Sequence, residues 1–121
     1  PNGLVLTPQE DALLVAITRA QQVVRLALRP DVVGEHRLGV FVQLSGGLAG
    51  PDGMAMDSNG DLYVAHAGFG TVWKFDAIGE PLARIRSCSG IRTTNVAFSP
   101  DRTGIYITES DTGTILRARL G

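Results

Sequence analysis

Three residues in this chain pair an oxygen-bearing side chain with a recurring setting. Asn2 stands in Pro1-Asn2-Gly3-Leu4-Val5-Leu6, Asp52 in Pro51-Asp52-Gly53-Met54-Ala55-Met56, and Asn95 in Thr94-Asn95-Val96-Ala97-Phe98. An amide oxygen and a carboxylate are hard ligands of the kind Ca²⁺ or Mg²⁺ takes. A bound cation can polarise a carbonyl and stabilise the oxyanion that develops on it. A carboxylate beside it can take a proton from attacking water. Asp52 has both capacities, and sequence does not separate ligand from base. The ordinary reading of an Asx-Gly pair is a turn. Recurrence at equivalent places weighs against that reading for Asn2 and Asp52 without deciding it. Asn95 precedes Val, not Gly, and both readings stay open for it.

The elements that must position these residues come from an internal repeat. The spacing from Asn2 to Asp52 is 50 residues and from Asp52 to Asn95 is 43, the size of a four-stranded propeller blade. Each opening strand runs into a turn cluster: Thr7-Pro8-Gln9-Glu10-Asp11, Asp57-Ser58-Asn59-Gly60-Asp61 and Ser99-Pro100-Asp101-Arg102-Thr103-Gly104. Each turn leads into an apolar second strand, Leu13 to Ile17, Leu62 to Ala65 and Ile105 to Thr108, as expected of strands buried on both faces. Third strands follow at Val23 to Leu28, Thr71 to Phe75 and Thr114 to Ala118, and fourth strands at Arg37 to Leu44 and Pro81 to Arg86. The expectation is an all-β chain of eleven strands, three consecutive blades (half) of a six-bladed β-propeller, with repeats over about 1–50, 51–92 and 93–121. The segment Glu10 to Leu28 has helix-forming composition, but the aligned repeats read it as strands.

In that topology the marked residue sits just before the innermost strand of each blade, so Asn2, Asp52 and Asn95 point toward one axis. The turn between second and third strands lies on the same face. It brings His66 and Phe69 near Asp52, Thr18 and Arg19 near Asn2, and Glu109 and Asp111 near Asn95. His66 is a candidate proton shuttle or ligand for a substrate hydroxyl, Arg19 a candidate substrate contact, and Glu109 a stray carboxylate near the channel mouth. His36 falls in an outer-strand region and reads as surface.

Composition narrows the partners. The chain has 121 residues, one domain's worth, with 44% hydrophobic and 19% charged residues and a net charge of −1. That charge makes no electrostatic case for nucleic acid or an anionic membrane. No apolar stretch reaches the roughly 18 residues of a membrane helix. The lone Cys88 cannot form an intrachain disulfide, which leans toward a reducing, cytoplasmic setting. Other motifs fail. Asp57-x-Asn59-x-Asp61 imitates a Ca²⁺ loop but continues with Leu62 and reaches Gly68 where a Glu is needed. There is no Gly-x-Ser-x-Gly elbow, Ser45-Gly46-Gly47 lacks the Lys of a phosphate loop, and Cys88 has no partner at zinc spacing.

Taken together, Pro-Asn-Gly-Leu, Pro-Asp-Gly-Met-Ala-Met-Asp, Asn59-Gly60-Asp61-Leu62-Tyr63-Val64-Ala65 and Thr94-Asn95-Val96-Ala97-Phe98 resemble the senescence marker protein (regucalcin), gluconolactonase and luciferin-regenerating enzyme family, in its C-terminal half. The resemblance implies a six-bladed propeller with one divalent cation in the central channel. The expected cation is Ca²⁺, with Zn²⁺, Mg²⁺ or Mn²⁺ as alternatives. It further implies that Asn2 is a metal ligand and Asp52 a ligand and general base. The substrate class implied is a small-molecule lactone. The family's Glu ligand and its substrate-binding Asn and Arg lie in the other half. A further half-propeller is therefore expected, either an N-terminal half or a second copy in a homodimer. The rival expectation is a non-catalytic propeller fragment acting as a binding or assembly module, since fold alone does not give function. A related aryl-ester or phosphoester hydrolysis would use the same metal logic.

Overall fold

The computed structural model describes residues 1–28 and 38–121. His36 and the start of the first fourth strand, at Arg37, lie outside the described residues. Among those described there are eleven strands in three antiparallel sheets. The first sheet holds β1 (Leu4–Leu6), β2 (Ala12–Ile17), β3 (Gln22–Ala27) and β4 (Leu38–Gln43), in that spatial order. The second holds β5 (Pro51–Met56), β6 (Leu62–His66), β7 (Thr71–Phe75) and β8 (Pro81–Arg86). The third holds β9 (Thr93–Phe98), β10 (Gly104–Glu109) and β11 (Thr114–Arg119). Each is a meander in which sequence neighbours pair, and the three form consecutive blades of a partial β-propeller. Glu10 to Leu28, helix-like in composition, forms β2, a short 3-10 turn at Thr18–Ala20, and β3.

Period-2 alternation sends the side chains of the middle blade to two different cores. Leu62 and Val64 of β6 pack with Leu14, Ala16, Val23, Val42 and Leu44 of the first blade. Tyr63 and Ala65, the residues between and after them, pack with Val96, Ile105 and Ile107 of the third. All five β6 residues are consequently buried. Full burial of a side chain such as Leu62 contributes about 1.5–3 kcal/mol. The equivalent strand β2 alternates between buried and half-buried positions, and β10 between buried positions and the exposed Tyr106 and Thr108. The expectation that second strands are buried on both faces therefore holds for β6 alone, because only the middle blade is covered on both sides in this chain.

The turn clusters work as local chemistry predicts. Asp57 Oδ1 accepts hydrogen bonds from the backbone N–H groups of Asn59 (2.9 Å) and Asp61 (3.0 Å). Gly60 adopts φ 84° to let its own N–H reach Asp57 O. The carboxylate that imitates a Ca²⁺ loop is thus the acceptor of a hairpin turn.

Candidate functional site

The three marked residues are brought together by the innermost strands. β1 packs beside β5, and β5 beside β9. Glycines make the close approach workable. A Cβ on Gly3 would clash with the carbonyl oxygen of Asp52, and a Cβ on Gly53 would lie 2.7 Å from Asn95 Cα. The residue after Asn2 therefore touches Asp52, and the residue after Asp52 touches Asn95. This stepped contact places Asn2, Asp52 and Asn95 on neighbouring blades around one axis.

Their position within the strands differs from the expected one in two cases. Asn2 precedes β1, but Asp52 lies inside β5 and Asn95 inside β9. Both strands are irregular there. Pro51 pairs with His66 and Met54 with Val64, so Asp52 and Gly53 together oppose Ala65. Asn95 pairs with Thr108 and Thr93 with Glu109, leaving Thr94 as the extra residue. Such bulges bend a strand and re-aim a side chain, so these positions can sit within a strand and still face the mouth of the blade.

Asp52 lines a cleft of about 270 Å³ with Thr18, Leu48, Ala49, Ala67, Gly68, Arg92 and Thr94. Among the described residues its carboxylate accepts no hydrogen bond and enters no ion pair. Burial pushes its pKa above the ordinary carboxylate value of 3.8. A half-buried carboxylate without a partner is an unsatisfied anion. Asn2 has an exposed side chain, and its N–H donates to Ala16 O at 2.8 Å. Asn95 is exposed, and its Oδ1 accepts from Val96 N–H at 2.9 Å. One carboxylate and two amides are hard-oxygen groups of the type a Ca²⁺ ion takes, while among the described residues no group of three or more His, Cys, Asp or Glu is gathered to hold a metal.

The other expected site residues take different places. Arg19, expected beside Asn2, is exposed on the 3-10 turn; its neighbour Thr18, also expected beside Asn2, lines the Asp52 cleft, donating through Oγ1 to Pro51 O at 2.8 Å. His66 is fully buried. Its Nδ1 accepts a hydrogen bond from Trp73 Nε1 at 3.0 Å, and Nε2 lies 3.1 Å from Gly46 O. An indole N–H only donates and a carbonyl only accepts, so the ring is neutral with its proton on Nε2. Burial first, then Arg84, lowers its pKa below 6.5, against the opposing effect of the Gly46 hydrogen bond. Both nitrogens are engaged, so the ring has none to offer a substrate or a proton relay. It instead ties down the 45–50 connection, whose Leu48 and Ala49 wall the cleft. Phe69 stacks on this ring at 4.8 Å.

Glu109 is 1% exposed and is no free carboxylate at the mouth. Oε2 accepts from the N–H groups of Arg92 (3.2 Å) and Asp111 (2.9 Å). Oε1 accepts from the N–H and Oγ1 of Thr112, both at 2.7 Å. Burial alone would raise its pKa, but these hydrogen bonds together hold it below 4.5. Sequence reasoning missed Arg92. Aligning the entry segments of the repeats would have found it. Ala49 stands three residues before Asp52 and Arg92 three before Asn95, and both line the cleft.

Comparison with known proteins identifies the family and the fold. The model of the SMP-30/gluconolactonase/LRE-like region matches residues 1–111. A lactonase drp35 of Staphylococcus aureus (strain MW2) is 33% identical, with 91% of this chain and 36% of that protein covered. A gluconolactonase structure from Xanthomonas campestris superposes with a TM-score of 0.81 at 28% identity, covering 100% of this chain and 38% of that one. A calcium-binding regucalcin structure from Agrobacterium tumefaciens superposes at 0.78 and 24% identity, covering 96% of this chain and 44% of its own, and shows the shared fold. The chain thus spans little more than a third of the curated relative it matches. With a blade-repeat fold and a family match over residues 1–111, the chain belongs to the SMP-30/gluconolactonase/LRE-like family.

Proposed function

We propose that the site works in a completed propeller as a metal-dependent hydrolase of sugar lactones or similar small cyclic esters. The observation that carries this reading is the unpartnered, half-buried Asp52 carboxylate, whose pKa is raised by burial, in a cleft whose lining does not include Asn2 or Asn95, the equivalent residues of the neighbouring inner strands. Asn2 and Asp52 would hold the divalent cation, Ca²⁺ first among candidates on the chemistry of the donors. When bound, that cation supplies polarisation of the lactone carbonyl and stabilisation of the developing oxyanion. Asp52 takes a proton from water as the water oxygen bonds to the carbonyl carbon. The ring C–O bond then breaks, and the proton passes to the departing ring oxygen, giving the hydroxy acid. Relatives named lactonase and gluconolactonase support the substrate class.

The partner is a further half-propeller. β-pairing places Leu4, Leu6, Leu13, Val15, Val24, Leu26, Leu38 and Val40 on one face of the first blade. Leu4, Leu38 and Val40 are 59%, 61% and 56% exposed. A continuous apolar face of this kind calls for a covering layer.

The test is turnover of a lactone panel by the full-length protein and its Asp52→Asn and Asp52→Ala variants, with melting temperatures measured with and without Ca²⁺. Loss of turnover in folded variants, together with cation stabilisation of the wild type alone, supports the reading. Retained turnover in folded Asp52→Ala overturns it. A folded wild type that responds to no divalent cation and opens no lactone favours a binding module. Light scattering beside intact mass decides the partner. A discrete dimer of the 12.8 kDa chain points to two copies completing one ring.

A further inference from the structure

We propose that Arg92 is a substrate-positioning residue that selects lactones carrying a carboxylate group; the inference rests on the lactonase reading above. Arg92 shares the cleft with Asp52, and the six other lining residues are uncharged. Its ion pair is with Asp111, at 3.4 Å from Nε to Oδ1, and not with Asp52. A guanidinium presents five N–H donors in a planar fork. Among the described residues the Arg92 guanidinium donates no hydrogen bond, and its contact with Asp111 is through Nε at 3.4 Å. The side chain is 57% exposed and Asp111 41%. Solvent therefore screens both the pair and the repulsion Asp111 exerts on a second anion. The fork is open to an external carboxylate, which it can grip with two parallel hydrogen bonds.

The placement of this cation is built. A single buried oxygen, Glu109 Oε2, accepts the backbone N–H of Arg92 and the backbone N–H of Asp111, fixing both members of the ion pair. Residue 90 is glycine where any Cβ would lie within 2.7 Å of the same carboxylate. Burying a carboxylate is costly unless it is fully hydrogen-bonded. Here the four donors that satisfy it tie the backbone of Arg92, which lines the cleft, to Asp111 and Thr112. Asp52 and Arg92 are the two charged residues of a cleft otherwise lined by Thr18, Leu48, Ala49, Ala67, Gly68 and Thr94. A lactone whose carbonyl meets Asp52 and whose ring bears a carboxylate satisfies both.

The experiment is steady-state kinetics of the full-length protein with two lactones of the same ring size, an uncharged aldonolactone and an aldarolactone bearing a carboxylate. Arg92→Gln is expected to raise KM for the charged lactone about tenfold to a hundredfold, with kcat held and a much smaller change in KM for the neutral lactone. Arg92→Lys should keep part of the preference, since charge survives while the fork is lost. It carries the test if the melting temperature shows that Arg92→Gln fails to fold. An equal change for both lactones, or none for either, in a folded variant overturns the proposal. A wild type that is active on the neutral lactone yet shows no preference between the two also overturns it, while leaving the lactonase reading standing. A wild type that opens neither lactone overturns the lactonase reading and this inference with it.

Discussion

The backbone at Gly53 runs so close to Asn95 that a Cβ would sit 2.7 Å from Asn95 Cα, a backbone atom that cannot rotate away. Gly3 stands in the same relation to the carbonyl of Asp52. Gly53→Ala is therefore expected to force β5 from β9, destabilising by about 1–3 kcal/mol as overpacking does. Gly39→Ala, with open space around it, is the control and should change little. Denaturant unfolding of both variants checks this; an unaltered midpoint for Gly53→Ala would show that the inner strands are not in close contact.

Asp52 carries a pH signature. Its folded pKa lies above the ordinary 3.8 because burial disfavours the charged form. The folded state therefore holds this proton more tightly, and stability falls as pH rises from the ordinary value through the raised one. Asp52→Asn should remove that decline, so that the variant is the more stable protein above the window when no divalent cation is present. Thermal unfolding across pH in chelator, with and without the substitution, is the measurement.

His66 has the opposite sign. Its folded pKa is lowered from 6.5, chiefly by burial. The neutral ring's contribution is fully present above 6.5 and is lost as pH falls from there through the lowered value. Protonation would place a hydrogen on Nδ1, where it opposes the Trp73 N–H. Trp73→Phe leaves that nitrogen without its donor and should cost about 1–3 kcal/mol. NMR of the imidazole should show the proton on Nε2 at pH 7, and a proton on Nδ1 there would contradict the assigned hydrogen bonds.

Glu109→Gln keeps the shape but turns one acceptor oxygen into an N–H₂ donor. Whichever way the amide points, two of the four donors from Arg92, Asp111 and Thr112 lose their acceptor. The expected result is a lower melting temperature with faster amide exchange at Arg92 and Asp111, or at Thr112. Unchanged exchange at all three would mean that the carboxylate does not hold these segments.

Sequence alone determined the strands, their order within each blade and the turns, because these obey local rules. A period-2 apolar pattern makes a strand wherever it occurs, and Asp57 and Gly60 close a hairpin through bonds to near neighbours. The Asx positions were legible because the repeat multiplied a faint signal three times. Tertiary structure decided what each polar side chain does. His66 reads as a channel histidine until Trp73 and the distant Gly46 take both nitrogens, and Glu109 as a free acid until four donors from two segments surround it. Arg92 reaches the Asp52 cleft only because β9 packs against β5. These pairings join residues far apart in the chain and follow from how one blade face meets the next; only the place of Arg92 leaves a trace in the sequence, through its alignment with Ala49 in the repeat.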